Sequence, residues 1–482
     1  MKNRIYILHI IGMLCIAHSL TLLPPMLVSL WFQDGEIEDF FITFLLLIIA
    51  GYLLWAPFRN QAIELKRSDA FLVVSLFWMI LSLVSALPFI IGGHLGFVDA
   101  LFEATSGFTT TGATVVIDLD KFPPSILYYR QQLQFFGGIG LVILAIAILP
   151  MLGIGGMQLY RAETPGPMKD EKLAPRLAQT ARGLCLIYIG LTLACTIGYW
   201  LAGVDAFDAL QHAFTTVSTG GFSTHNESFG YFNSPVVNFI AVLFMLLGAI
   251  NFGVHFLALK NRKPSLYFHD TEVRSFLKIV IAAVIFYTGS LYYTKEYTSL
   301  FHAFDHALFQ VTSVITSTGF GVTDFSLWPA FLPVMLIFIS FIGGCGGSTA
   351  GGIKVIRIIT LVKQAAQQLF LLIHPKAYRP VMIGERVLDN NVIQAIWGFF
   401  AVYIIVFAML TLLMMMAGLD QVSAFASVAA TMNNLGPGLG EVSITFASVS
   451  DAGKLIAVIA MLLGRLEIFP LLVILSRGFW RN

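Results

Sequence analysis

The chain has 482 residues, of which 57% are hydrophobic and only 11% charged, and its mean hydropathy is +0.83. Soluble domains carry about 25% charged residues. This chain therefore lacks the polar groups to clothe a surface in water, which excludes an ordinary cytosolic enzyme, a secreted disulfide scaffold and a disordered linker protein. The formal net charge of +1 offers no electrostatic footprint for nucleic acid.

Lys2 and Arg4 open an apolar run that reaches about Phe32. It is too long for a signal-peptide core and has no small-x-small cleavage site, so it is expected to be a retained transmembrane helix. A bilayer core about 30 Å thick needs roughly 20 apolar residues per helix. Ten runs approach that length: 5–32, 38–57, 69–92, 126–152, 181–203, 232–260, 275–294, 328–372, 392–417 and 452–476. The eighth is too long for one span and is interrupted by glycine. Basic loops follow the fourth, sixth and eighth runs. The other loops carry few Lys or Arg, and four of them hold an extra half-length apolar segment, near 98–112, 207–221, 305–319 and 422–436. Cys15, Cys185, Cys195 and Cys345 fall in or beside apolar runs without CxxC or Cys/His spacing. They are small buried hydrophobes in this reading, not disulfides or metal ligands.

Placing the N-terminus in the cytoplasm and alternating puts 23 of the 28 Lys and Arg residues inside, from Lys2 and Arg4 to Arg477 and Arg481. Lys121, Arg130, Lys295 and Lys454 fall outside, and Arg465 alone lies deep in a span. That asymmetry follows the positive-inside rule, and an even number of spans returns the C-terminus to the cytoplasm. The net charge of +1 is thus a cancellation between an acidic outer face at −13 and a basic inner face at +14. An acidic outer face concentrates cations near a pore mouth.

The four half-length segments are copies of one unit. Ala100, Ala209, Ala307 and Ala424 each precede a glycine, Gly112, Gly221, Gly319 or Gly436, by 12 residues. Asp99, Asp208, His306 or Ser423 stands just before, and Asp and Ser are good helix N-caps. Each segment lies between two full spans, so the unit is span, short helix, glycine turn, span. A helix of about 11 residues is roughly 16 Å long, half a membrane, and must enter and leave on one face. Non-helical backbone at membrane depth survives only where it lines a cavity or is buried in protein. Four such turns about a pseudo-fourfold axis build a ring of backbone carbonyls, which replaces the hydration shell of a cation. Glycine permits the positive φ that aims successive carbonyls one way. The carbonyl ends of the short helices add partial negative charge. The plainer alternative, tight turns in outer loops, does not account for four copies with one offset.

Together these features resemble the membrane subunit of the Trk/Ktr/HKT superfamily of potassium transporters, specifically its bacterial Trk type. The resemblance covers the whole chain. It rests on two extra N-terminal spans, the strings TTTGAT, STGGFS, TSTGFG and NNLGPGLGE, a glycine-rich third-repeat helix, and GRLEIF near the C-terminus. It implies an all-α polytopic fold: two N-terminal helices (1–66), then pore repeats at 67–160, 161–264, 265–385 and 386–482. It further implies K⁺ uptake through the inner membrane, a homodimer of pores, and a cytosolic regulatory subunit that binds NAD or ATP. On this reading the K⁺ filter is Thr110, Thr111 and Gly112; Thr219, Gly220 and Gly221; Ser317, Thr318 and Gly319; and Asn434, Leu435 and Gly436. The fourth filter departs from the others in carrying Asn434-Leu435, which breaks the fourfold symmetry.

The eighth run breaks over 343–352, where Gly343, Gly344, Gly346, Gly347, Gly351 and Gly352 are six of ten residues. Each Gly costs a helix about 1 kcal/mol against Ala, and a Gly-interrupted span points to a moving or ion-contacting element. It is no P-loop, because Ile353 separates Gly352 from Lys354 and no Ser or Thr follows the lysine. It is no nucleophile elbow either, since Ala350 stands where the last Gly belongs. A close helix-packing face is the alternative. The resemblance favours a mobile loop under the filter that obstructs the pore. Arg465 lies about 20 Å below the outer end of the last span. A charge there costs at least about 2.5–3.5 kcal/mol, so it must face a wet cavity or a partner. Glu467, two residues on, is on another helix face. The candidate role, matching the arginine of the GRLE motif, is an electrostatic barrier in the cation path; the alternative is a structural ion pair.

Weaker signals are His302 and His306, four apart but without HExxH, and the basic loop with Lys169, Lys172, Arg176, Arg182, Pro165, Pro167 and Pro175. That loop suits lipid headgroups or a docked regulatory subunit, as do 260–278 and 374–390. With no Rossmann motif in the chain, nucleotide control must come from another chain. The rival readings are a K⁺ symporter coupled to H⁺ or Na⁺, which needs mid-span carboxylates and finds only Glu467, and a membrane enzyme, whose catalytic sets are missing.

Overall fold

The computed structural model describes residues 2–58, 67–147, 173–329, 331–384 and 386–475. The basic residues Arg59, Lys66, Arg161, Lys169, Lys172, Arg477 and Arg481, with Pro165 and Pro167, lie outside them.

Helices α1 (Lys2–Leu20), α2 (Leu23–Phe32) and α3 (Ile37–Trp55) form the N-terminal unit. α1 and α3 meet at Gly12 and Gly51, where a Cβ on either residue would fall within 2.8 Å of the other's carbonyl oxygen. Small residues of this kind let helix backbones approach closely in lipid. Four units follow, each with a leading helix, a short helix and a second helix. Repeat 1 has α4 (Arg67–Val84) with α5 (Leu87–Ile91), α6 (Phe97–Phe108) and α7 (Pro124–Ala147). Repeat 2 has α8 (Leu173–Leu201), α9 (Ala206–Val217), and α10 (Pro235–Ala249) with α11 (Phe252–Asn261) and α12 (Leu266–His269). Repeat 3 has α13 (Thr271–Tyr293), α14 (Leu300–Ile315), and α15 (Leu332–Ser340) with α16 (Val355–Ile373). A two-stranded antiparallel hairpin, β1 (Met382–Ile383) and β2 (Arg386–Val387), leads to repeat 4, made of α17 (Asn390–Met416), α18 (Gln421–Met432), and α19 (Asp451–Arg465) with α20 (Phe469–Leu475).

The arrangement is inverted relative to a soluble protein. Leu53, Phe239, Ile285 and Ile405 are exposed, whereas Thr105, Ser106, Thr215, Thr216, Thr312 and Ser313 of the short helices are fully buried. Apolar faces outside and polar groups buried within the protein are what lipid demands.

Among the described residues, seven helices are by themselves long and apolar enough to span, or eight counting one bent pair. The difference from ten lies mainly in second helices. α10 and α11 meet at 95°, with Asn251 Oδ1 accepting from Gly253 N at 2.7 Å to start the new helix. The run 328–372 is two helices flanking the glycine loop. α19 and α20 are separated by Leu466, Glu467 and Ile468, the last two at positive φ (52° and 66°). Three of these broken ends converge on the loop: Cys345 N donates to Ala249 O (2.9 Å), Phe252 N to Gly347 O (3.1 Å), and Arg465 to Thr349 O (3.0 Å).

The short helices begin earlier than expected from the cap residues. The N-caps are Gly96, Asp205, Ser299 and Asp420, with Asp205 and Asp420 accepting from backbone N–H groups one turn in. Asp99, Asp208, His306 and Ser423 are not caps but first- or second-turn residues with other partners: Asp99 pairs with Lys454 at 2.7 Å.

Candidate functional site

The short helices end at Phe108, Val217, Ile315 and Met432, each four residues before its glycine. In all four repeats the chain then turns through the same contacts. Thr111 N, Gly220 N, Thr318 N and Leu435 N donate to Ser106 O, Thr215 O, Ser313 O and Ala430 O at 2.7–2.8 Å. The residue before each has φ near +52°: Thr110 (53°), Thr219 (52°), Ser317 (52°) and Asn434 (52°). A β-branched threonine at positive φ is a genuine outlier, and such strain is held only where the surroundings over-determine it. The glycines follow at φ 82°, 80°, 83° and 96°.

These turns close into a ring. A Cβ on Gly112 would fall 2.2 Å from Gly220 O, one on Gly221 1.9 Å from Thr318 O, one on Gly319 1.9 Å from Leu435 O, and one on Gly436 2.8 Å from Thr111 O. Each glycine therefore faces the carbonyl of the next repeat in cyclic order. All twelve expected filter residues lie in this ring. The departure in repeat 4 is confined to side chains: Asn434 keeps the shared φ, and Leu435 presents its backbone carbonyl like its three counterparts. The Asn434 amide is used as a cross-link, donating to Thr111 Oγ1 at 2.9 Å and to Met461 O at 3.1 Å.

The glycine stretch 343–352 is a buried loop, not a helical packing face. It is tied to three repeats at the filter. Thr349 Oγ1 donates to Val217 O and Gly248 O, both at 3.0 Å, and accepts from Thr219 Oγ1 at 3.2 Å. Gly351 N donates to Ser317 Oγ, and a Cβ on Gly351 would fall 2.0 Å from Asn433 O. Gly343 and Gly352 lie at positive φ (69° and 76°), where the two arms of the loop cross closely. Arg465 is 3% exposed. Its guanidinium donates to Thr349 O (3.0 Å) and Gly137 O (3.4 Å) and lies 5.4 Å from the Trp78 ring centroid. Glu467 is paired with Arg357, not with Arg465.

Charge counting along the sequence missed several groups. Arg130, assigned to the outer side, is fully buried, and its Nη2 lies 2.6 Å from Glu103 Oε1. Arg465 is therefore not the lone buried cation; Lys454, Lys354 and Arg357 are buried too. Glu272 Oε1 accepts from Gly346 N (2.8 Å) and Ile356 N (3.2 Å), tying the glycine loop to the start of the helix that follows it. The signal was a carboxylate in the first turn of a span, two residues after the N-cap Asp270. His306 stacks on Tyr297 (centroids 4.6 Å apart), and the described residues contain no group of three or more His, Cys, Asp or Glu able to hold a metal.

Above the ring, His225 lies between two carboxylates, Nδ1 2.7 Å from Asp120 Oδ1 and Nε2 3.2 Å from Asp208 Oδ2. Burial disfavours the imidazolium, but the hydrogen bonds and charges of Asp208 and Asp120 outweigh it and raise the His225 pKa. A raised folded-state pKa stabilises fully below the unfolded value of about 6.5. The contribution is lost as pH rises through the folded value. The melting temperature of the purified protein is thus expected to fall over that interval, and His225→Gln to flatten the fall; an equally steep profile in the variant would refute this linkage.

The family model described as a cation transport protein matches residues 36–479. The chain is 49% identical over 480 residues to the Trk system potassium uptake protein TrkH of Vibrio parahaemolyticus, covering 99% of each chain. It is 48% identical over 478 residues to TrkH of Escherichia coli, again with 99% of each covered. The crystal structure of the potassium transporter TrkH from Vibrio parahaemolyticus superposes with a TM-score of 0.92 at 46% identity over all of both chains. The carbonyl ring, the loop beneath it and the four span–helix–turn–span units are thus those of a membrane transport protein, and the chain belongs to the TrkH family of cation transport proteins.

Proposed function

We propose that this chain takes up K⁺ across the bacterial inner membrane through the ring at Gly112, Gly221, Gly319 and Gly436. The observation that carries the reading is the ring itself: one backbone geometry repeated four times, closed carbonyl to glycine. K⁺ is the transported substrate. It sheds water against the carbonyls, drawn by the acidic outer face and the short-helix ends. The loop 343–352 with Arg465 is the gate, since it hydrogen-bonds to filter-bearing segments of repeats 2 and 3 and packs against repeat 4. Inward movement of one cation gains about 2.3 kcal/mol per 100 mV, which drives uptake without a coupling ion. The chain works as a homodimer of pores, with both termini in the cytoplasm, and a cytosolic subunit that binds NAD or ATP sets the gate from the basic inner face.

Reversal potentials of the purified protein in lipid bilayers test this reading. They are expected to track the K⁺ gradient alone. Dependence on pH or on the Na⁺ gradient would replace the channel with a symporter.

A further inference from the structure

The position nine residues before each filter glycine is buried and polar in every repeat: Glu103, His212, Gln310 and Ser427. What these residues grip differs. In repeats 1 and 2 they hold the residue two after the glycine. Glu103 accepts from Thr114 Oγ1 (3.0 Å) and from Val115 N (2.9 Å). His212 Nδ1 faces the carbonyl of Asp208 at 2.9 Å, and an oxygen there only accepts, so Nδ1 carries the proton. In the neutral ring Nε2 then accepts from Ser223 Oγ at 3.0 Å.

Arg130 joins the two grips. Its Nε and Nη2 donate to Glu103 (2.8 and 2.6 Å), Nη2 to Thr114 Oγ1 (3.2 Å) and Nη1 to Ser223 O (3.3 Å). One turn along α7, Gln134 Nε2 donates to Gly220 O (2.7 Å), and its Oε1 accepts from Phe222 N (3.1 Å). Gly137, Gly248 and Gly464 mark the same register in α7, α10 and α19, since a Cβ on each would meet the last carbonyl of its own short helix. In that register the counterparts of Arg130 are Ala241 and Ala457, and those of Gln134 are Met245 and Met461.

Repeats 3 and 4 lack the grip. The residue two after the glycine is Gly321 or Gly438, which has no side chain to hold. Neither atom of the buried Gln310 amide has a hydrogen-bond partner among the described residues, and Ser427 Oγ donates back to Ala424 O of its own helix (2.9 Å). In repeat 3 a side chain of the short helix holds the residue just after the glycine instead, Ser313 Oγ donating to Phe320 O (2.7 Å). The backbone beyond is held by outer loops, Gly321 N by Ser228 Oγ (3.4 Å) and Gly438 N by Val442 O (2.9 Å).

We infer that Glu103 and His212, coupled through Arg130, are positioning residues that brace the filter segments of repeats 1 and 2, and that this braced half of the ring sets discrimination between K⁺ and Na⁺. The physical argument is reorganisation. A carbonyl pair braced beyond the glycine resists closing in on a smaller ion, whereas a segment without that brace follows the ion further inward. A buried ion pair with satisfied hydrogen bonds is suited to fixing one geometry, at little gain in stability. The inference rests on the filter reading above.

The test is the ratio of initial K⁺ to Na⁺ uptake in K⁺-depleted cells expressing the full chain, where it assembles with its own partners. Thr114→Val, Ser223→Ala and His212→Leu each remove one grip and are expected to lower the ratio about fivefold or more, with K⁺ uptake retained. His212→Gln, which keeps an acceptor for Ser223, is expected to restore it. Gln310→Leu and Ser427→Ala are expected to leave the ratio within about twofold, the fivefold threshold corresponding to roughly 1 kcal/mol. If His212→Leu does not reach the membrane, Ser223→Ala removes the same bond from its other end and carries the test. An unchanged ratio in Thr114→Val and Ser223→Ala, with a shifted ratio in Gly319→Ala, overturns the brace and leaves the filter standing. An unchanged ratio in Gly319→Ala as well overturns the filter reading itself. Equal losses from variants in all four repeats overturn the two-sided division.

Discussion

Gly319→Ala is expected to lower K⁺ uptake by about tenfold or more, and to do so without unfolding the protein. Two demands converge on this residue. Its φ is +83°, a conformation that costs a side-chain-bearing residue about 1–3 kcal/mol. Its Cβ would also stand 1.9 Å from Leu435 O and 2.8 Å from Pro437 Cδ. The first contact is far inside any van der Waals distance and involves backbone, so the Leu435 carbonyl must turn away and the ring loses an oxygen. A penalty of about 1–3 kcal/mol corresponds to about 5- to 150-fold in an equilibrium or rate. Gly289→Ala is the control: it lies in α13 with nothing within 4 Å of an added Cβ, and its uptake should match the parent chain. Initial K⁺ uptake by cells, normalised to protein in the membrane, is the measurement. Parental uptake in Gly319→Ala would remove the ring as the ion's path.

Shortening the glycine loop by deleting 346–348 is expected to act in the opposite direction, raising K⁺ flux by about tenfold or more. The loop is held by hydrogen bonds from Cys345 N, Thr349 N and Thr349 Oγ1, and by a charge-assisted bond from Gly346 N to Glu272. Each ordinary bond contributes about 0.5–1.5 kcal/mol net, and one to a charged group about 1.5–3. Losing two or three of them exceeds the roughly 1.4 kcal/mol that shifts a two-state population tenfold. Arg465→Ala belongs to the same prediction, because its guanidinium donates to Thr349 O of the loop and, in the function proposed above, its charge opposes a cation in the path. Flux through proteoliposomes checks both variants. Parental flux in a folded deletion variant would make the loop a packing element, and reduced flux in Arg465→Ala would make the arginine structural.

The architecture was legible because the repeat is written in local spacing. An alanine and a glycine 12 residues apart, with spans on both sides, place each short helix and its turn before any contact is known. Arg465 stood out because one charge in an apolar run has no local excuse. The pair Glu103–Arg130 did not stand out. Its members are 27 residues apart, Glu103 in a short helix and Arg130 near the outer end of a span, and each passes for an outer-face charge until the fold buries both. The caps were misplaced for a related reason: Asp99 and Asp208 are good cap residues in sequence but have partners elsewhere, Lys454 for Asp99 and Thr224 with His225 for Asp208. The broken second helices were visible only where glycine marks the break. At Ile250–Asn251 and Glu467–Ile468 the local cues are weak, one capping Asn251 and one Pro470 inside apolar runs, and the surrounding contacts decide the bend.

The cyclic order of the glycine–carbonyl contacts means that the filter has no free end. Gly112 bears on Gly220, Gly221 on Thr318, Gly319 on Leu435, and Gly436 back on Thr111. A displacement at one corner therefore pushes on the next, and meets more resistance where the corner is braced, as at Thr114 and Ser223, than where it is not. Substitutions at adjacent corners share a contact, and energies of such neighbours do not add. The same closure explains how the fourth repeat can carry Asn434-Leu435. Side chains outside the circle are free to diverge, because the circle itself is drawn only in backbone.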